Sequence, residues 1–181
     1  MRERINGGRC RHRQAGVGLI EVLIAVLVLA VGVLGIMSLQ INGKRVNFQA
    51  MQRSSGAPLA QEMLERIRGN PGDLSLYAAT VGGATITSAP SPDCSSATCT
   101  VGAQLAAYDL WEWEQRLDAA ASGLVNPTGC ITVTGRYVAV SVVWESTVEL
   151  DQTGSGGCGD GKYGTDDKRR QEVTMSSYFA E

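Results

Sequence analysis

Residues 22–37 contain no polar side chain, and widening the window to residues 17–41 admits only Glu21, Ser38 and Gln40. At ~1.5 Å per residue such a helix reaches about 37 Å, enough to cross the hydrocarbon of a bilayer. A cleaved secretory signal would have a shorter apolar core followed by small residues at a cleavage site. The run here is longer, and residues 38–42 make a poor site of that kind. The segment reads as a retained membrane span.

The helical pattern continues past the apolar run. Ala60, Met63, Leu64 and Ile67 fall at i, i+3, i+4 and i+7, which gives one apolar stripe, and Glu62 and Arg66 pair at i, i+4 on another face. Gly69-Asn70-Pro71-Gly72 ends the helix. One helix of about 50 residues, roughly 75–80 Å long, is therefore expected. Its first half is apolar all round and its second half amphipathic. Pro58, with Gly32, Gly35, Gly43 and Gly56, predicts a bend or local melting.

Residues 72–99 read as loop. Thr100 is the expected cap of a second helix over residues 102–121, with Ala106, Leu110, Trp113 and Leu117 on one face and Glu112 and Arg116 paired on another. Gly123 and Asn126-Pro127 close it. The period then changes to two. Ile131 and Val133 alternate with threonines, Gly135-Arg136 offers a two-residue turn, and Val138, Val140, Val142 and Trp144 alternate onward. That turn pairs Val133 with Val138 and Ile131 with Val140 on one face. Val173, Met175, Ser177 and Phe179 propose a third strand, after a Gly/Asp-rich loop over residues 151–170. The fold class is α+β: a long N-terminal helix packed on a small antiparallel sheet.

Charge sharpens this picture. The chain has 181 residues and a formal charge of −2, but residues 1–16 hold five arginines against Glu3, a net of +4. From residue 17 onward 11 basic and 17 acidic side chains remain, a net of −6. A basic head before an apolar run keeps the N-terminus cytoplasmic. The lone histidine, His12, lies in that head. Without it the body has no His-dependent triad and a poor ligand set for zinc. Cys94, Cys99, Cys130 and Cys158 lie in the body. An even count in an exported domain favours disulfides. Three pairings are open, and spacing alone does not choose; Cys94–Cys99 with Cys130–Cys158 is preferred.

Gly16-Val17-Gly18-Leu19-Ile20-Glu21 closes the basic head and opens the apolar run. It resembles the class III signal of type IV prepilins, although Val17-Gly18 stands where that family more often has Phe-Thr. The resemblance implies cleavage by a prepilin peptidase between Gly16 and Val17, N-methylation of the new amine at Val17, and retention of the apolar segment as filament core. A carboxylate inside such a segment is costly, ~2.5 kcal/mol or more at the bilayer centre. Glu21 therefore needs a partner, and the nearest positive group after cleavage is the Val17 amine of a neighbouring subunit. The plainer alternative is a Glu21 that snorkels to the interface or protonates.

Within that class the body is most similar to the PilV-type minor pilins, the type IV pilus modification proteins. The resemblance rests on residues 21–30, Arg66-x-Arg68-x-Asn70-Pro71, Cys94-x4-Cys99, Asp109-x3-Trp113-x3-Leu117 and Val140-x-Val142-x-Trp144. It implies a cleaved cytoplasmic leader (residues 1–16), a transmembrane half-helix (17–43) and a periplasmic head (44–181). Such a subunit would be single-pass in a bacterial inner membrane and enter the pilus. Its expected partners are the peptidase, other major and minor pilins, and inner-membrane lipid. Neither a cofactor nor a small-molecule substrate is expected.

Other constellations are weaker. Asp109 and Trp113 sit one turn apart; Trp113 reads as core, and Asp109 as a capping or loop-tethering acid or a partner contact. Trp111 points elsewhere on the wheel and is the better exposed contact. Residues 160–167 have the acids and glycines of a calcium loop, but Lys162 and Gly164 break the EF-hand pattern, so no metal site is assigned. Lys168-Arg169-Arg170 is scant support for nucleic-acid binding in an acidic body. No Walker A, H-E-x-x-H or G-x-S-x-G motif occurs, and no catalytic residue is assigned. The functions to separate are a minor pilin of the type IV pilus, a pseudopilin of type II secretion, and a DNA-binding tip subunit.

Overall fold

The computed structural model describes residues 18–150 and 157–180. The chain divides into two compact units, one ending at Arg45 and the other beginning at Val46. Helix α1 (Leu19–Gly69, 51 residues) contributes to both. Within the first unit it is exposed all round, from Leu19 at 79% to Ile41 at 54%. The anticipated melting does not occur. The helix carries through Gly32, Gly35 and Gly43, and also through Gly56 and Pro58, where tertiary packing overrides local propensity. Gln52, Gly56, Ala60, Met63, Leu64 and Ile67 are all buried there.

The second unit continues from α1 through a 3-10 turn (Leu74–Tyr77) into strand β1 (Ala79–Val81). Helix α2 (Gly102–Leu117) and the short α3 (Ala119–Ser122) follow. Strands β2 (Thr128–Thr134), β3 (Tyr137–Glu145) and β4 (Arg170–Tyr178) complete an antiparallel sheet of order β1-β2-β3-β4. The two-residue turn sets the register as alternation requires: Val133 faces Val138 and Ile131 faces Val140. Gly135 takes φ +61°, a conformation that its lack of a Cβ makes cheap.

Two local readings need correction. Strand β1 lies in a stretch read as loop. Three residues are too few to show a period, and their pairing with Gly129, Cys130 and Ile131 is what makes them a strand. The cap of α2 is Val101 rather than Thr100, and no side chain caps it; instead the Gln104 side chain accepts the Thr100 N–H at 3.3 Å. The helix also ends early, at Asp118, whose backbone leaves the helical region before α3 begins.

The core lies between the sheet and the helices. Met63, Leu64 and Ile67 meet Val138, Val140, Val142 and Trp144, with Trp113 and Leu117 from α2. The opposite sheet face has a smaller core of Cys130, Val143, Cys158 and Tyr163. The Gly/Asp-rich loop is thus not merely solvated: Tyr163 is fully buried, and its hydroxyl donates to the Asn126 carbonyl at 2.9 Å.

Candidate functional site

Glu21 lies in the first turn of α1, with its N–H bonded to the Gly18 carbonyl at 2.9 Å. Its side chain is exposed and makes no ion pair among the described residues. The surrounding surface is apolar on every side over residues 22–37, more than four turns. An 18-residue window here has a mean hydropathy of 2.9. A water-exposed surface of this kind is far larger than soluble chains tolerate; lipid or other apolar helices would satisfy it. Gly16 and Val17, the expected cleavage and methylation positions, lie outside the described residues.

The head carries a second constellation, where three sequence signals meet. Arg66, near the end of α1, reaches Glu62 at 2.8 Å, Glu112 at 2.8 Å and Asp109 at 3.2 Å. Arg116 closes the ring on Glu62 at 3.1 Å and Glu112 at 3.4 Å. The second oxygen of Asp109 accepts the Tyr77 hydroxyl at 2.8 Å. Asn70 donates to Tyr77 and to the Gly102 carbonyl, so the turn after α1 is tied to the start of α2. Burial alone would lower the Arg66 pKa, but bonds to Glu112, Glu62 and Asp109 outweigh it and hold the guanidinium charged. Burial pushes the Tyr77 hydroxyl well above its usual range, and Asp109 adds to the effect.

This arrangement changes the reading of Asp109. It is 5% exposed, and both its carboxylate oxygens are occupied from within the head. It clamps the helices and is not a surface contact. Trp113 is core, as its spacing indicates, and its indole N–H donates to the Leu59 carbonyl at 3.0 Å. Trp111 is partly exposed and lies against Tyr108, with ring centroids 5.7 Å apart.

Glu114 was missed in the sequence. Its carboxylate accepts the N–H groups of Gly82, Thr85 and Ile86 and the Thr85 hydroxyl, all within 3.0 Å. Burial alone would raise its pKa, but these four donors hold it below the usual carboxylate range. One α2 side chain therefore organises the loop after β1. Only the acid's position on the buried face of α2 hinted at this.

Disulfides join Cys94 to Cys99 and Cys130 to Cys158. The acids of residues 160–167 are engaged elsewhere. Asp167 accepts the N–H groups of Gly161 and Tyr163, and Asp160 pairs with Arg170. Among the described residues no group of three or more His, Cys, Asp or Glu side chains is placed to hold a metal.

Two family models match adjoining stretches of this chain. The prokaryotic N-terminal methylation motif matches residues 11–37, across Glu21 and the start of the apolar helix. The model described as type IV pilin Tt1218 matches residues 38–111, across the rest of α1 and most of α2. Over these two stretches the chain is similar to the type IV pilins. The methylation motif implies processing by prepilin peptidase and assembly with other pilins. The apolar helix near the N-terminus is long enough to cross a membrane, which fits this similarity. No curated protein and no solved structure matches this chain.

Proposed function

We propose that this chain is a type IV pilin, a minor subunit that primes or modifies assembly of type IV pili, most similar to the PilV-type proteins. The observation that carries the reading is the clamp in the head. The motifs behind the subgroup resemblance, Arg66-x-Arg68-x-Asn70 and Asp109-x3-Trp113, lie 43 residues apart and join through the Arg66–Asp109 bond. Shared motifs that form one working unit support kinship better than scattered ones. The stapled Cys94–Cys99 loop belongs to the same set.

In this reading the precursor sits in the inner membrane with its basic leader in the cytoplasm and its head in the periplasm. The peptidase cuts between Gly16 and Val17, and the Val17 amine is N-methylated. Glu21 then pairs with the Val17 amine of an adjacent subunit. This pairing neutralises two charges in an apolar medium and sets the axial stagger between helices. The runner-up is a pseudopilin of type II secretion, which shares the anchor and its chemistry. A DNA-binding tip role ranks lower: Arg170 is buried against Asp160, and Arg169 pairs with Glu145, so only Lys168 of the basic triplet lacks an ion pair among the described residues. Deleting the gene and scoring surface pili and type II secretion separately tests the proposal. Loss of pili with intact secretion is expected; the reverse outcome selects the pseudopilin.

A further inference from the structure

We propose that Lys44 and Arg45 form a docking point for the phosphates of anionic phospholipid head groups. The inference rests on the reading that α1 crosses a bilayer. Both residues close the first compact unit, and both are exposed on α1. Among the described residues neither makes an ion pair, although Arg66, Arg68, Arg116, Arg169 and Arg170 all do. No acidic residue lies between Glu21 and Glu62. Among the described residues the two cations therefore have no acidic partner.

Depth supplies the second argument. About 30 Å of hydrocarbon takes up ~20 helical residues, which from Leu19 ends close to Leu39. Lys44 then lies about 7 Å further along the axis. A head-group layer is ~5–7 Å thick on each side, so the ammonium and guanidinium groups fall level with the lipid phosphates. Residues 44 and 45 are adjacent, about 100° apart around the helix, and so address different lipids at one depth.

Orientation supplies the third. Cations at the translocated end oppose the asymmetry that puts the arginine-rich head inside. Cations there work against insertion, and phosphate binding is a gain that offsets this. Their chemistry suits the ligand: Lys offers a point charge with three donors, and Arg a planar fork that bonds phosphate in bidentate fashion. The competing occupant is an acidic surface of a second pilin.

Electron paramagnetic resonance on the full chain in vesicles separates these cases. The vesicles contain equal parts phosphatidylcholine and phosphatidylglycerol, with a trace of either lipid spin-labelled. The fraction of label immobilised by the protein is the readout. Each cation near an anionic surface contributes roughly 5-fold to binding. Lys44→Gln/Arg45→Gln should therefore lower selectivity for phosphatidylglycerol several-fold, as should about 0.5 M salt with wild type. The leader arginines are common to both proteins, so the comparison isolates residues 44 and 45. Lys162→Gln, in the other unit, should leave selectivity unchanged. Unchanged selectivity in the double variant overturns the proposal, decisively so if that variant instead loses co-purifying pilins. No immobilised lipid of either kind around wild type would overturn the membrane reading itself, and this inference with it.

Discussion

Glu114 shows how much one side chain can organise. Its two oxygens take four donors from the loop after β1, and a glutamine would place an amide where the Ile86 N–H now points. Glu114→Gln should destabilise the head by about 1–3 kcal/mol, measured by thermal unfolding of the full chain in detergent. The carboxyl is held below its ordinary value of 4.5, so its stabilisation is present above that pH. It is lost as the pH falls through the lowered native value. The variant should lose less stability on acidification than wild type. Equal acid sensitivity would show that the loop does not depend on this charge. At Gly16 the concern is shape. A side chain at the scissile position should block cleavage, so Gly16→Leu is expected to accumulate as the longer precursor in membranes. A mature mass matching wild type would contradict the assigned cut.

At the level of elements, α1 packs Gly56 against Trp144 of the sheet. A Cβ there would lie 2.8 Å from the Trp144 ring, which is fully buried and hydrogen-bonded to Gln52. Alanine in a helix interior normally gains up to ~1 kcal/mol over glycine. Overpacking a filled core costs about 1–3 kcal/mol, so Gly56→Ala should lower the melting temperature despite its better propensity. A raised melting temperature would mean that the ring yields. The same contacts show what could be read from sequence. The β2–β3 register was legible because a two-residue turn and strict alternation leave one alignment. The α2 core face was legible from its 3.6 period. Strand β1 was not, since three residues carry no period. The Arg66–Asp109 clamp was not, since sequence distance hides a contact across 43 positions. Tyr163 was concealed by its neighbours: a run of Gly and Asp signals a loop, and one aromatic ring turns that loop into a cover for the far side of the sheet.

For the whole molecule, function depends on what the apolar helix meets. Glu21→Leu removes the costly group, so insertion into the bilayer should become easier and cleavage should survive. Docking onto a neighbour should fail. The expected result is a processed, folded, membrane-resident protein that is absent from sheared pili; wild-type incorporation would refute charge pairing and favour snorkelling. Oxidation can be read directly. Intact mass after denaturing alkylation should show Cys94, Cys99, Cys130 and Cys158 protected, and four labelled thiols would contradict the disulfides. The Cys130–Cys158 bond has a further consequence. Cys130 faces away from its neighbour Ile131, across from Ser141. Slipping β2 by one residue would send Cys130 into the helix-covered core and away from Cys158. Oxidation thus acts as an inspection step. Only a hairpin in the correct alignment brings Cys130 to Cys158 and can be sealed, and a misaligned chain leaves both unjoined.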